Sequence, residues 1–345
     1  MMTMPTGAGF RWSVPAARRP IVVAIGETGG VAALRVARAL AERDGTHLVL
    51  VSAVEPPPIY DFEAAPPLML PWTVDEQLSE RRHVLHNRLH GLGWTVNQPG
   101  APQLVVTYGE VPDSINSLAR DRDARLIIMG IGPHAVARRL ISAGTASSTS
   151  RHAPCPVLAV SEGAHGVPHS AVIAIDFSSE SISAAGESLA LLADDAVIHL
   201  VHVCRKLRSA IANTELDEMT TACETELAVR FDRVRSILGR DRALAFNDIT
   251  LEGRTAECVL EIARRKHVDL IVAGTHGYGM LDRWLLGSTS TALLHGAACS
   301  VLLVPAPPAA ERRFEHAGSG SPRGADHSIS TLGHVGRSGK DHGTT

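Results

Sequence analysis

Short unbroken apolar runs alternate with stretches in which apolar residues recur every three or four positions. Ile21-Val-Val-Ala-Ile25, Leu48-Val-Leu-Val51, Leu126-Ile-Ile-Met-Gly130 and Asp269-Leu-Ile-Val-Ala273 are of the first kind. Their length and branching predict strands buried on both faces, since a half-exposed strand would alternate apolar with polar residues. The intervening periodic stretches predict helices. Each half of the chain then reads strand, Ala-rich helix, strand, long helix, strand, helix, strand, glycine loop, helix, final strand. That alternation predicts an α/β fold with a parallel sheet covered on both sides.

The halves repeat. Leu126-Ile-Ile-Met-Gly130 falls on Leu270-Ile-Val-Ala-Gly274, and the same ungapped shift puts Cys155-Pro-Val-Leu-Ala-Val160 on Cys299-Ser-Val-Leu-Leu-Val304. A slightly different shift matches Ile21–Ile25 to Ala171–Ile175 and Leu48–Val51 to Ile198–Val201, so the repeats differ slightly in length between those points. A tandem duplication is implied. With 345 residues there is room for two cores of ordinary domain size. The organisation expected is an N-terminal extension over 1–19, a first domain over 20–160, a polar linker over 161–169, a second domain over 170–305, and a disordered Gly/Ser/Pro-rich tail over 306–345. The Pro-rich stretch Glu55–Pro71 is expected to be an irregular surface insertion.

Glycine and hydroxyl residues carry the chemistry. The run ending at Ala273 meets Gly274-Thr275-His276-Gly277, and nine residues later Gly287-Ser288-Thr289-Ser290 opens a short helical segment. Gly277 admits backbone close to a ligand, and a helix N-terminus offers unpaired N–H groups with positive dipole charge. A nucleotide-phosphate site is therefore expected there. Two glycines alone would better suit a plain βα turn with a Ser cap. Arg283 is placed to reach phosphate or to face water, and His276 contributes mainly backbone.

The pattern G-x-x-G, nine residues, G-S, between a strand and a helix, resembles the ATP-binding signature of the universal stress protein family. The resemblance covers about residues 20–160 and 170–305 and includes that family's tandem form. It implies two Rossmann-like domains akin to the adenine nucleotide alpha hydrolases, each with five parallel strands, pairing as a homodimer would, with further homodimerisation open. It also implies that Asp176, at the end of the second half's first strand, contacts the nucleoside, and that the Val203 backbone meets adenine. Residues 176 and 203 suit a helix N-cap and a buried strand valine equally well.

In the first half Gly26 stands for Asp176, Pro133 replaces the second glycine, Ala143 the third, and Gly144-Thr145 takes the Ser-Thr place. Pro133 lacks a donor, and Ala143 would be strained if positive φ were required. Nucleotide is therefore expected in the second half, although a helix start at Thr145 would retain some anion preference. Gly130-Ile-Gly132-Pro-His-Ala135 mimics a dinucleotide fingerprint, but it follows a late strand.

A net charge of −3 with 20% charged residues gives no polyanion bias, so nucleic acid is not an expected partner. Residues 1–20 lack an apolar stretch long enough for a leader or membrane anchor, and a cytoplasmic protein is expected. Five cysteines without a C-x-x-C pair read as small core residues. His83, His86 and His90 share a helical face that reads as solvated. No general base or nucleophile stands beside the phosphate loop. The expectation is a regulator that binds ATP, with Mg²⁺ as an optional companion, and signals to a protein partner with at most slow hydrolysis. The alternatives are an ATP-hydrolysing or nucleotidyl-transfer enzyme of a related class, and an adaptor that needs no nucleotide.

Overall fold

A computed structural model describes residues 19–27, 29–56, 73–131, 136–204, 213–239, 244–275 and 286–306. The first repeat runs β1 (Ile21–Ala24), α1 (Val31–Asp44), β2 (Leu48–Val54), α2 (Val74–Gly91), β3 (Gln103–Tyr108), α3 (Val111–Asp121), β4 (Leu126–Gly130), α4 (Val136–Arg151) and β5 (Val157–Val160). The second runs β6 (Ser170–Ala174), α5 (Ser179–Leu189), β7 (Val197–Cys204), α6 (Asn213–Leu238), β8 (Ala245–Glu252), α7 (Thr255–Lys266), β9 (Leu270–Gly274), α8 (Ser288–Gly296) and β10 (Ser300–Val304). The N-terminal extension, most of the Pro-rich insertion and the C-terminal tail lie outside the described residues, as does the side chain of Cys223.

Each repeat supplies five parallel strands. The order is β3-β2-β1-β4-β5 in the first and β8-β7-β6-β9-β10 in the second, and the two sets join into one ten-stranded sheet. The central strands are buried on both faces, as their unbroken apolar runs require. At one margin β8, with the sequence AFNDITLE, is largely exposed, and its acidic side chains make it a poor template for another strand.

The join is an antiparallel pair between β5 and β10. Leu302 faces Leu158, its own counterpart in the other repeat, and Val301 and Leu303 face Ala159 and Val157. A residue meeting its own equivalent is the mark of a two-fold interface, here within one chain. Two cores had been expected, one per repeat. Instead the buried residues divide by face of the sheet, and each cluster runs across the seam. Leu40, Leu158, Leu191 and Leu302 share one, while Ile115, Val157, Leu293 and Val301 share the other. On the first face, Arg43 of α1 donates to the carbonyls of Ala190 and Leu192 beyond α5. On the second, α4 packs on α8.

Local sequence explains the helix starts. Thr73 caps α2 by accepting from Glu76 N while the Glu76 carboxylate accepts from Thr73 N, a reciprocal arrangement that satisfies two end donors. Ser178 caps α5 more simply, by accepting from Ser181 N at 3.2 Å. Among the described residues no helix is long and apolar enough to cross a membrane.

Candidate functional site

The chain leaves β6 toward β7 on one side, and β9 lies on the other. Strand order therefore reverses between β6 and β9, and the crevice beyond their carboxyl ends is where open α/β sheets bind ligands. Gly274 ends β9 there. Thr275, 2% exposed, donates from N to Val304 O at 2.9 Å and accepts at O from Gly287 N at 3.0 Å. Ser290 Oγ donates to Gly274 O at 2.8 Å. These bonds close the loop at both ends and hold the start of α8 against the end of β9. Thr291 N returns to Gly287 O at 3.0 Å, so the first N–H groups of α8, from Ser288 onward, have no helical partner behind them. The elements thus bring Gly274, Thr275, Gly287, Ser288, Thr289 and Ser290 together at the crevice.

Gly287 is the N-cap of α8 with φ −57° and ψ 146°, a conformation open to any residue. Positive φ is not required at this position, so strain is not why alanine stands at the matching position 143. His276, Gly277 and Arg283 lie outside the described residues, with the rest of 276–285.

Asp176 follows β6. The N-cap of α5 is Ser178, so the capping role considered for Asp176 belongs two residues on. Asp176 Oδ1 accepts from Ser178 N at 3.0 Å and from Ser178 Oγ at 2.5 Å, a local turn that sets the carboxylate at the mouth of the crevice. Val203, next to last in β7 and paired with Leu251, is half-buried against the second core cluster. Asp176 and Val203 thus lie on neighbouring strands at their carboxyl ends. Earlier on β7, burial and then the charge of Lys266 push His199 toward its neutral form.

The first repeat departs from this arrangement in two ways. Helix α4 begins at Val136 and runs to Arg151, so Gly144 and Thr145 are interior and no helix N-terminus exists where an anion preference had been expected. The sequence placed the start too late, because glycine and hydroxyl residues suggest an end while the continuing turns outweigh that local signal. Secondly, the loop after β1 is filled. Arg88 of α2 donates to Gly26 O and Gly29 O, and Arg81 pairs with Glu27 at 2.9 Å. Gly29 and Gly30 both take φ near 75°, which brings Gly30 against β4. A Cβ at Gly130 would sit 3.1 Å from Gly30 Cα, so this retained glycine has a packing reason of its own. Pro133 is outside the described residues.

Sequence reasoning missed Arg81, Arg88, Phe177 and His202. The arginines are seven apart, on one face of a helix, yet their partners lie more than fifty residues upstream. His83, His86 and His90 are exposed on that helix, and His83 meets Asn87 at 3.0 Å.

A family model described as "Universal stress protein family" matches residues 17–161 and again 169–305. Universal stress protein A homolog 2 of Coxiella burnetii is 33% identical over 117 residues, covering 32% of this chain and 75% of that protein. Universal stress protein A homolog 1 of the same organism is 51% identical over 55 residues, 16% of this chain, and the match spans only 38% of its own length. Among solved structures, a protein of unknown function from Pseudomonas aeruginosa PAO1 superposes with a TM-score of 0.58 at 17% identity, covering 88% of this chain and 98% of that one. A putative universal stress protein from Pseudomonas aeruginosa UCBPP-PA14 gives 0.57 at 18% identity over 88% and 99%. Both share the fold.

Proposed function

The chain belongs to the universal stress protein family, as two tandem copies of its domain, and on that premise we propose that it is a regulator whose second repeat binds one adenine nucleotide, ATP with or without Mg²⁺. The observation that carries this reading is the anchoring of the α8 N-terminus to the end of β9, beside Asp176 at the switch point. Phosphate oxygens would take the free N–H groups of Ser288, Thr289 and Ser290, where the helix dipole favours negative charge. Asp176 would accept from the nucleoside hydroxyls, and the Val203 backbone would meet the base. Gly274, Thr275 and Gly287 form the floor, while His276, Gly277 and Arg283 complete the loop in this reading.

Efficient catalysis is not part of the proposal. The Asp176 carboxylate is engaged by Ser178 N and Oγ, an arrangement suited to holding a ligand hydroxyl rather than abstracting a proton. Nucleotide would act through the loop it contacts, changing a surface that a protein partner reads. A cytoplasmic setting suits such a role. The first repeat, with its loop filled by Arg88, serves as the structural partner.

The test is release and quantification of nucleotide from the purified full chain, with calorimetric MgATP titration of wild type and Asp176→Ala. One ATP per chain, weakened in the variant, is expected. Two per chain would overturn the assignment of a single site, and none would remove the ATP reading.

A further inference from the structure

We propose that Phe177 is a positioning residue for Asp176, held by a ring cluster that sets how well the second repeat takes its nucleotide; this rests on the nucleotide reading above. Phe177 has φ 62°, the left-handed region that bulky side chains rarely enter. Its ring explains why it stays there. The His202 ring lies 4.8 Å away and the Phe231 ring 5.1 Å away, edge-on, with Arg230 of α6 above it at 5.7 Å. Such edge and tilted contacts are favourable ring geometry.

His202 is itself fixed. Its Nδ1 lies 2.8 Å from Ile175 O, and because a carbonyl can only accept, Nδ1 donates this bond. The two neighbours of Asp176 are therefore gripped by one imidazole, Ile175 through its carbonyl and Phe177 through its ring. Ser178 holds the carboxylate from the following residue. A carboxylate fixed this way loses little freedom on meeting a ligand, whereas a loosened turn would have to be ordered at the moment of binding. The first repeat has Gly26, Glu27 and Ser52 at the corresponding positions, so neither the carboxylate nor the rings are present.

The test is a calorimetric MgATP titration of the full chain in wild type, Phe177→Gly, Phe177→Tyr, Asp176→Asn and the Phe177→Gly/Asp176→Asn double variant. Glycine keeps the left-handed backbone and removes the ring, while tyrosine keeps the ring. We expect Phe177→Gly to weaken binding about tenfold in the wild-type background and less than about twofold beside Asp176→Asn, the non-additivity of residues acting through one another. Phe177→Tyr should restore wild-type affinity. Nitrogen NMR should find the His202 Nδ1–H hydrogen-bonded in wild type and Phe177→Tyr, and that bond weakened in Phe177→Gly. Equal losses in both backgrounds, no loss in Phe177→Gly, or failure of tyrosine to rescue would overturn the proposal. A wild type that takes no ATP removes the underlying reading, a result distinct from these.

Discussion

Replacing Gly287 by aspartate should stabilise the protein and disable the proposed nucleotide site. Gly287 caps α8 without a side-chain bond, yet its φ −57° and ψ 146° nearly match Thr73 at −70° and 162° and Ser178 at −70° and 159°. Both of those residues accept from the N–H three positions on. A carboxylate at 287 can therefore accept from Ser290 N and face the positive helix end, together worth about 1 kcal/mol. For a chain of this size that is a rise in Tm of roughly 1–2 °C. The same carboxylate would stand where phosphate is proposed to bind. Two unit charges about 4 Å apart repel by about 1 kcal/mol in water and about 4 kcal/mol at an effective dielectric near 20, so affinity should fall between about fivefold and about a thousandfold. Scanning calorimetry and MgATP titration measure the two effects separately. Gly287→Asn, which caps without charge, should show a smaller stability gain and a milder loss of affinity. If Gly287→Asp binds MgATP as wild type does, phosphate does not sit at this helix end. If it destabilises, the cap geometry is not as described.

Asp44→Ala should cost about 3 kcal/mol in urea denaturation, because Arg125, whose side chain is 6% exposed, would lose the carboxylate that balances it. Burial alone would raise the Asp44 pKa, but hydrogen bonds and charge from Arg43 and Arg125 outweigh it and hold it below the usual range. The stability this adds is present at neutral pH and lost as pH falls through the folded value, so the gap between wild type and variant should narrow in acid. Thr149→Val should add about 1 kcal/mol of stability in urea denaturation, because Thr149 is fully buried and its Oγ1 lacks a partner among the described residues, while the Asn116 bond to its backbone carbonyl survives. Burial first, and then the charges of Glu187 and Asp123, push the Cys155 thiol up to about 12 from 9.0. A raised value favours the protonated form in the fold, so its contribution is intact below pH 9.0 and is lost as pH rises toward 12. Mapped by mass spectrometry at pH 8.5, Cys155 should alkylate about a thousandfold more slowly in the native protein than in urea, and comparable rates would contradict its burial.

What the sequence made legible follows from which signals are local. A strand covered on both faces must be apolar throughout, so Ile21–Ala24, Leu126–Gly130 and Leu270–Gly274 announce themselves. The repeat announced the architecture, and a glycine-bounded strand followed by hydroxyls located the start of α8. Contacts between distant segments were not legible. Arg88 reaches Gly26 across a sequence gap no periodicity encodes, and the β5–β10 pairing depends on which strand margins remain after each repeat has folded. Helix α4 misled because Gly144 and Thr145 have end-like chemistry inside a helix whose neighbours still favour turns. Phe177 was invisible for the opposite reason, since nothing in its identity suggests left-handed backbone.

The seam explains how the repeats can differ. In a homodimer every substitution appears twice, so filling one site fills both. Here Leu158 meets Leu302 as two copies would, but the residues around them change independently. The first repeat gives five strands to the sheet and about half of each buried cluster, and none of that depends on an open crevice after β1. Arg88 can therefore satisfy the carbonyls of Gly26 and Gly29, and α4 can extend through Gly144, with the shared core intact. The second repeat keeps Asp176, the short α8 and its tie to Gly274, features that cost stability unless a ligand uses them: a glycine cap without a side-chain bond and a phenylalanine in left-handed conformation. At the matching crevice the left-handed positions are Gly29 and Gly30, where that backbone costs little, and Arg88 spans the loop, so a left-handed phenylalanine beside a carboxylate is a concession of the second crevice, as one proposed nucleotide site beside a structural twin would require.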